Sequence, residues 1–379
     1  MSDKNQTIGN PEDVKAVSAE TFQCPGCGAN MRFDAESGCL KCDYCGTVKK
    51  LERSDDFSER DFSEFENIEK WGGEVKEAVC RNCGATEVYR ANEVATVCPF
   101  CSSPMVLSEE DYTGLKPNVI VPFAKKVTEA AALCKKWLKR RVFSPGRFKK
   151  NLKVDNISGV YYPIWTFDSQ TITDYSGVLG KYVTRTYTRN GKTVTRTETE
   201  YFHVKGQIRR IFDDLMIRGT DKLDVKAEND SGFTQKDYVK FDNAYLAGYS
   251  AMGYTVQPLD AWKRAEGIMK ERIKNEIMRR YGADTVQRLD MRLYHEGRSF
   301  KYLLAPFYVS VCMYKDKLYR QFVDGVKGKV YGKAPVSPLR VAIAVIIALA
   351  LIGALVYFFM TSDDESVMKA AETLMSVIR

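Results

Sequence analysis

Histidine is almost absent: His203 and His295 are the two in 379 residues, far apart and without a partner motif. That removes H-E-x2-H metalloproteases, and each histidine reads as an ordinary strand residue. No G-x4-G-K-[ST] loop exists. The nearest stretch, "NGKT" at 190–193, has Thr186 where the first loop glycine should stand, and it lies at the tip of an expected hairpin. G-x-S-x-G and G-x-G-x2-G are missing as well, so helicase, ATPase and hydrolase readings have no residues to stand on. No catalytic residue is assigned, and a non-enzymatic protein is expected. The start, "MSDKNQTIGNPEDVKAVSAE", has no apolar run of the signal-peptide kind.

What is present is the composition of a folded protein, with 44% hydrophobic and 28% charged residues and a formal charge of +8. The length suits two or three domains. The basic balance permits an acidic partner, nucleic acid or anionic lipid, without demanding one. Eleven cysteines in a secreted miniprotein would signal disulfides, but here eight fall into C-x2-C pairs. "CPGCGANMRFDAESGCLKCDYC" and "CRNCGATEVYRANEVATVCPFC" repeat one plan, C-x2-C-x14-C-x2-C. Each C-x2-C turn supplies two sulfurs, and the spacer fits a short hairpin that folds the second pair over the first. Cys24, Cys27, Cys42 and Cys45 are expected to hold one Zn2+, and Cys80, Cys83, Cys98 and Cys101 a second. Four thiolates fill the shell, so both ions are read as structural rather than catalytic. Gly28, Gly46 and Gly84 follow the second cysteine of three pairs, where a turn commonly needs positive φ. Ser102 stands at the fourth. Cys39, Cys134 and Cys312 are expected to pack rather than ligate.

Along the chain, 1–21 is polar and aperiodic and reads as disorder. Zinc ribbon 1 occupies 22–48, an acidic linker 49–77, and zinc ribbon 2 residues 78–106. The linker is rich in Asp and Glu with irregularly spaced aromatics, the pattern of a solvated face or of a segment that pins the ribbons to the main body. From 115 to 333 a mixed α+β domain with a predominantly antiparallel sheet is expected. "NVIVPF" and "GVYYPIWTFD" read as strands, and "TEAAALCKKWLKRRVF" as a helix opened by Thr128. "KYVTRTYTRNGKTVTRTETEYFHV" alternates on both sides of Asn190-Gly191, the strongest short hairpin signal. "LDAWKRAEGIMKERIKNEIMRRYG" predicts an amphipathic helix ending at Gly282, and a last hairpin turns near Lys315–Lys317.

Val341 to Met360 then runs twenty residues without a charge, about 30 Å of helix, enough to cross a bilayer. Lys327, Lys329, Lys333 and Arg340 precede it and "TSDDES" follows. The positive-inside rule therefore predicts a single-pass cell-membrane protein, its bulk cytoplasmic and its tail outside. In 361–379 the apolar residues recur at helix spacing, which fits an amphipathic helix on the outer leaflet. From Lys125 to Lys153 there are eleven Lys/Arg and one Glu, interleaved with Trp137, Phe143 and Phe148. Lipid, nucleic acid and plain solvation all remain open for this segment.

The twin cysteine modules, "GVYYPIWTFD", and "VDGVKGKVYGKAP" leading to a C-terminal span resemble a bacterial family of membrane-anchored double-zinc-ribbon proteins. Its members are often labelled TFIIB-type zinc-ribbon, primosomal or helicase-like. The resemblance implies a cytoplasmic adaptor at the membrane, working in envelope stress with SPFH-domain or phage-shock-protein-A-like partners. The reading is thus a non-enzymatic adaptor. A membrane-tethered nucleic-acid-binding zinc-ribbon protein is the alternative, and it would show steep salt dependence.

Overall fold

After Gly159 a continuous buried run, Val160–Phe167, passes into an alternating stretch far longer than an ordinary strand, with β-branched and aromatic side chains that favour extended backbone. In the computed structural model, Ile157–Arg189 is one strand of 33 residues, with a contour of roughly 100 Å. It runs between two other long antiparallel strands, Lys192–Arg218 and Thr285–Tyr314. The structure describes residues 22–63, 75–90, 95–101, 103–106, 114–150, 157–189, 192–224, 226–227, 233–315 and 317–361. The expected N-terminal disorder, part of the acidic linker, the Asn190-Gly191 turn itself and the amphipathic tail lie outside them. Arg189 and Lys192 face each other as the last pair before that turn, in register with the expected hairpin.

One face of the three long strands is covered by helix Pro258–Tyr281. Proline sits in its first turn, and Gly282 ends it at φ +59. Ala261, Trp262, Ala265, Met269, Ile273 and Ile277 form its buried stripe and share a core with Phe167, Tyr175, Leu179, Val204 and Ile208. Past the helix end Thr285–Tyr314 drops out at Gly180, and Ile157–Arg189 and Lys192–Arg218 continue alone as an arm exposed on both faces. Tyr182, Tyr187, Val194 and Tyr201 are all open to solvent there. Cross-strand threonine pairs, Thr184 with Thr197 and Thr186 with Thr195, keep this bare stretch extended.

At its base the sheet widens. Val119–Ile120 pairs in parallel with Thr285–Tyr314, so the strand expected in "NVIVPF" is two residues long. Farther along the same edge of Thr285–Tyr314, Lys317–Asp324 pairs antiparallel, and Val330–Gly332 pairs in turn with Lys317–Asp324. Helix Val127–Arg140 packs through Ala130, Ala131, Cys134 and Leu138. It begins one residue before Thr128, because the Glu129 carboxylate takes the Lys126 N–H at 3.0 Å and moves the cap to Lys126.

The first cysteine module is a separate three-stranded sheet of Met31–Asp34, Cys39–Cys42 and Val48–Lys49. It docks where Phe33 N–H meets the Ala247 carbonyl at 2.9 Å and the Phe33 ring meets Tyr245 edge-on at 5.2 Å. The second module is joined more tightly. Its hairpin, Val75–Val79 with Thr86–Arg90, pairs with Ser250–Met252, which lies parallel to the longest strand at Val160 and Tyr161. The architecture is therefore two four-cysteine clusters on small antiparallel elements, a large mostly sheet body with a few helices, and one apolar C-terminal helix, Pro338–Thr361.

Candidate metal centres

All four C-x2-C turns close with one hydrogen bond. The first cysteine's N–H donates to the carbonyl five residues on: Cys24 to Ala29, Cys42 to Thr47, Cys80 to Ala85 and Cys98 to Ser103, at 2.7–2.9 Å. Gly28, Gly46 and Gly84 return an N–H to that cysteine's carbonyl, and each has φ between +65° and +76°. A side chain would be strained in that left-handed backbone, which is why glycine stands there.

The turns bring the sulfurs together. Cys24 and Cys45 Sγ are 3.3 Å apart and Cys27 and Cys42 3.5 Å. In the second cluster Cys80 and Cys101 are 3.5 Å apart, Cys83 and Cys98 3.7 Å. Every ligand atom in a cluster lies within 4.8 Å of the others. A tetrahedron with Zn–S of ~2.3 Å has edges of about 3.8 Å, so both sets fit one ion each. Cys24 and Cys42 are buried while Cys27 and Cys45 are exposed; Cys80 and Cys98 are buried, Cys83 and Cys101 half-buried. Within a cluster the thiols work against one another. Burial raises Cys24, but the N–H groups of Cys27 and Gly26 outweigh it and bring the thiol down to about 6. The Ala29 N–H lowers Cys27, yet Cys42 and Cys45 push it up to about 12. Four thiolates at neutral pH therefore need a cation among them, which is what a metal supplies. Cys39 stands apart, its thiol donating to the Ser37 carbonyl at 3.3 Å. Cys134 and Cys312 are buried in the body. His203 and His295 both lie on long strands, opposite Val178 and Thr171.

Each centre is wedged into a different part of the core. Cys24, Met31, Phe33, Leu40 and Cys42 belong with the aromatic residues Phe123 and Tyr161, and Phe123 stacks on Tyr249 at 4.1 Å. Cys80, Cys98, Phe100 and Ala85 belong with Tyr162, Phe307 and Phe322. Polar ties hold the second module down: Lys222 Nζ donates to the Cys83 carbonyl at 2.8 Å and Arg320 Nε to that of Phe100 at 2.9 Å. Between the modules and the body lies a cleft of about 810 Å³, lined by Arg32, Asp34, Glu87, Tyr89, Lys126 and Tyr249 among others.

A second polar centre is not legible in the sequence. Lys301 is 1% exposed, and its Nζ lies 2.7 Å from Glu59, 2.8 Å from Asp168 and 2.9 Å from Asp214. Asp168 also accepts the Asp214 N–H at 2.6 Å, and Glu59 accepts Ser299 Oγ at 2.6 Å. Burial alone would depress Lys301, but Asp168 and Glu59 hold it charged, above the ordinary lysine range. Burial pushes the Asp168 carboxyl up to about 6, against the Asp214 N–H and Lys301. Glu59 is also raised by burial, yet its bonds to Lys301 and Ser299 keep it below the usual range. Asp213 adds a further carboxylate beside Asp168 and Asp214, and the ammonium already supplies the positive charge among them. The one clue is a lone lysine inside the apolar run "FKYLLAPFYVSV".

No family model and no solved structure matches the chain. A Bacillus subtilis protein described as uncharacterized protein YdjG is 28% identical over 324 residues, 85% of this chain and 92% of YdjG. The chain is thus a distant homologue of YdjG, alike over most of the length of both proteins.

Proposed function

We propose that the protein is a single-pass membrane adaptor, with two structural zinc ions bracing a cytoplasmic body that recruits protein partners. The observation that carries this reading is the cleft shared by both cysteine modules and the body, in a chain whose C-terminal helix is long and apolar enough to span a bilayer. Within Pro338–Phe358 an 18-residue window has a mean hydropathy of 2.9, and none of that window is buried. The four-thiolate shells favour structural zinc, since no coordination position is left open for substrate. By family resemblance the partners are SPFH-domain or phage-shock-protein-A-like proteins of an envelope-stress system.

Cross-linking in membranes identifies the partner, and two variants then test the adaptor. Deleting 339–379 should release protein and partner together into the cytosol. Cys98→Ser should leave the protein in the membrane and weaken recruitment. Because Thr86–Arg90 is paired into the main sheet, protein level has to be followed in the same cells. Normal recruitment with both cysteine clusters destroyed would rule out docking through the cysteine modules. Failure of either the deletion or the cross-linking to reveal any partner would rule the adaptor out.

A further inference from the structure

We propose that the corner joining helix Val127–Arg140 to helix Gly146–Lys150 is a binding surface for an anionic phospholipid leaflet. The proposal rests on reading Pro338–Thr361 as a membrane span. Its first observation is position. Ser337 N–H donates to the Phe143 carbonyl at 2.8 Å. Arg340 Nη1 donates to the carbonyls of Val142 at 3.0 Å and Ser144 at 2.8 Å. These three bonds fasten the corner to the first turn of the apolar helix, so it lies where that helix would enter the bilayer.

The second observation is composition. The corner exposes Val142 (69%) and Phe143 (42%), beside Val336 (62%) and Leu339 (70%) at the helix root. An apolar tip surrounded by cations is the chemistry of a bilayer interface. Lys139, Arg140, Arg141, Arg147 and Lys150 are exposed around it. Arg141 also stacks over Trp137, 4.5 Å from the ring centroid, and tryptophan is favoured at the headgroup level.

The third observation is that the cations at this corner carry no protein counter-charge among the described residues. At the far end of the same helix the cations have carboxylate partners: Lys125 pairs with Glu129 at 3.7 Å, and Lys126 with Glu36. Among the described residues, the five cations at the helix root have none. Cations without protein counter-charges, facing a leaflet of negative lipid, gain most from that lipid. At the root of a membrane span, a nucleic acid would have to approach this corner past an anionic leaflet that repels it.

The test uses the full chain in nanodiscs of phosphatidylcholine alone or mixed with phosphatidylglycerol. Hydrogen exchange of residues 137–150 should slow by roughly tenfold or more when phosphatidylglycerol is present, and brominated phosphatidylglycerol should quench Trp137, with Trp137→Phe as the control. Combining Lys139→Gln, Arg140→Gln, Arg141→Gln and Arg147→Gln should abolish both effects while zinc content stays unchanged. Equal exchange in the two lipids, with residues 341–360 protected, overturns the lipid surface and leaves the span standing. Rapid exchange of 341–360 in both discs overturns the span and the surface with it. Protection by a short duplex DNA without a response to phosphatidylglycerol also overturns the proposal, in favour of nucleic acid.

Discussion

Lys301 is the residue whose loss should be felt most, because three carboxylates depend on its charge. Lys301→Met would leave Glu59, Asp168 and Asp214 facing one another without the ammonium. Breaking a buried ion cluster from one side costs about 3–5 kcal/mol, and urea unfolding should show a loss of that size. Asp168→Asn should cost less, since Lys301 keeps two partners and an amide oxygen can still accept the Asp214 N–H. The two variants differ in pH dependence as well. With Asp168 moved from 3.8 to about 6, the folded protein holds a proton that the unfolded chain has already released. This group's contribution to stability therefore falls as pH rises from about 4 to about 6, then levels off. Asp168→Asn should flatten that slope, which unfolding curves at successive pH values will reveal. None of this is readable from the sequence, because residues 59, 168, 214 and 301 meet only through pairing of distant strands. The cysteines are readable for the opposite reason: each pair of ligands lies within one turn, so spacing alone fixes the geometry.

At the scale of elements, the metal modules and the long arm behave differently. Each cysteine cluster is complete by itself and sits in its own part of the core. Purified protein should therefore carry two zinc ions per chain, counted by elemental analysis. Cys27→Ser should remove one of them and loosen the Phe33–Tyr245 contact, with the second centre unaffected. A wild-type content of one ion or none would contradict the paired centres. For the arm, the sequence supplies its hairpin and its alternation but not its length. Polar and apolar residues alternate for as long as one face meets the helix Pro258–Tyr281, and threonine pairs carry the strands further. Only pairing partners decide where such strands stop. Gly177 marks one place where they press together: a Cβ there would come 2.2 Å from the Arg288 carbonyl oxygen, next to a register shift at Val178 and Leu179. The glycine admits the neighbouring backbone at that shift.

For the whole molecule, the sheet makes the second cysteine module part of the body, whereas the sequence reads as two modules strung ahead of a domain. Thr86–Arg90 meets Ser250–Met252, a pairing that local spacing cannot foretell. Orientation is the property that charge around the apolar helix predicts. In intact cells, a membrane-impermeant thiol label should reach a cysteine introduced at Ser362 and miss one introduced at Ser337. The opposite pattern would invert the protein and put the two four-cysteine clusters in an oxidising compartment.

The bonds from Ser337 and Arg340 to the helix corner also decide how mechanical load would travel. Val330–Gly332 is held to its neighbour through only three residue pairs, a short antiparallel zipper that can open one bond at a time. It lies between the C-terminal helix and the rest of the sheet along the chain. Drag on that helix, as when a tethered protein moves with its membrane, meets the Arg340 clamp on Val142 and Ser144 before it meets the zipper. The clamp works as strain relief on a cable: the pull spreads into a helix anchored on the body by Ala130, Ala131, Cys134 and Leu138, and the sheet's last strand stays seated.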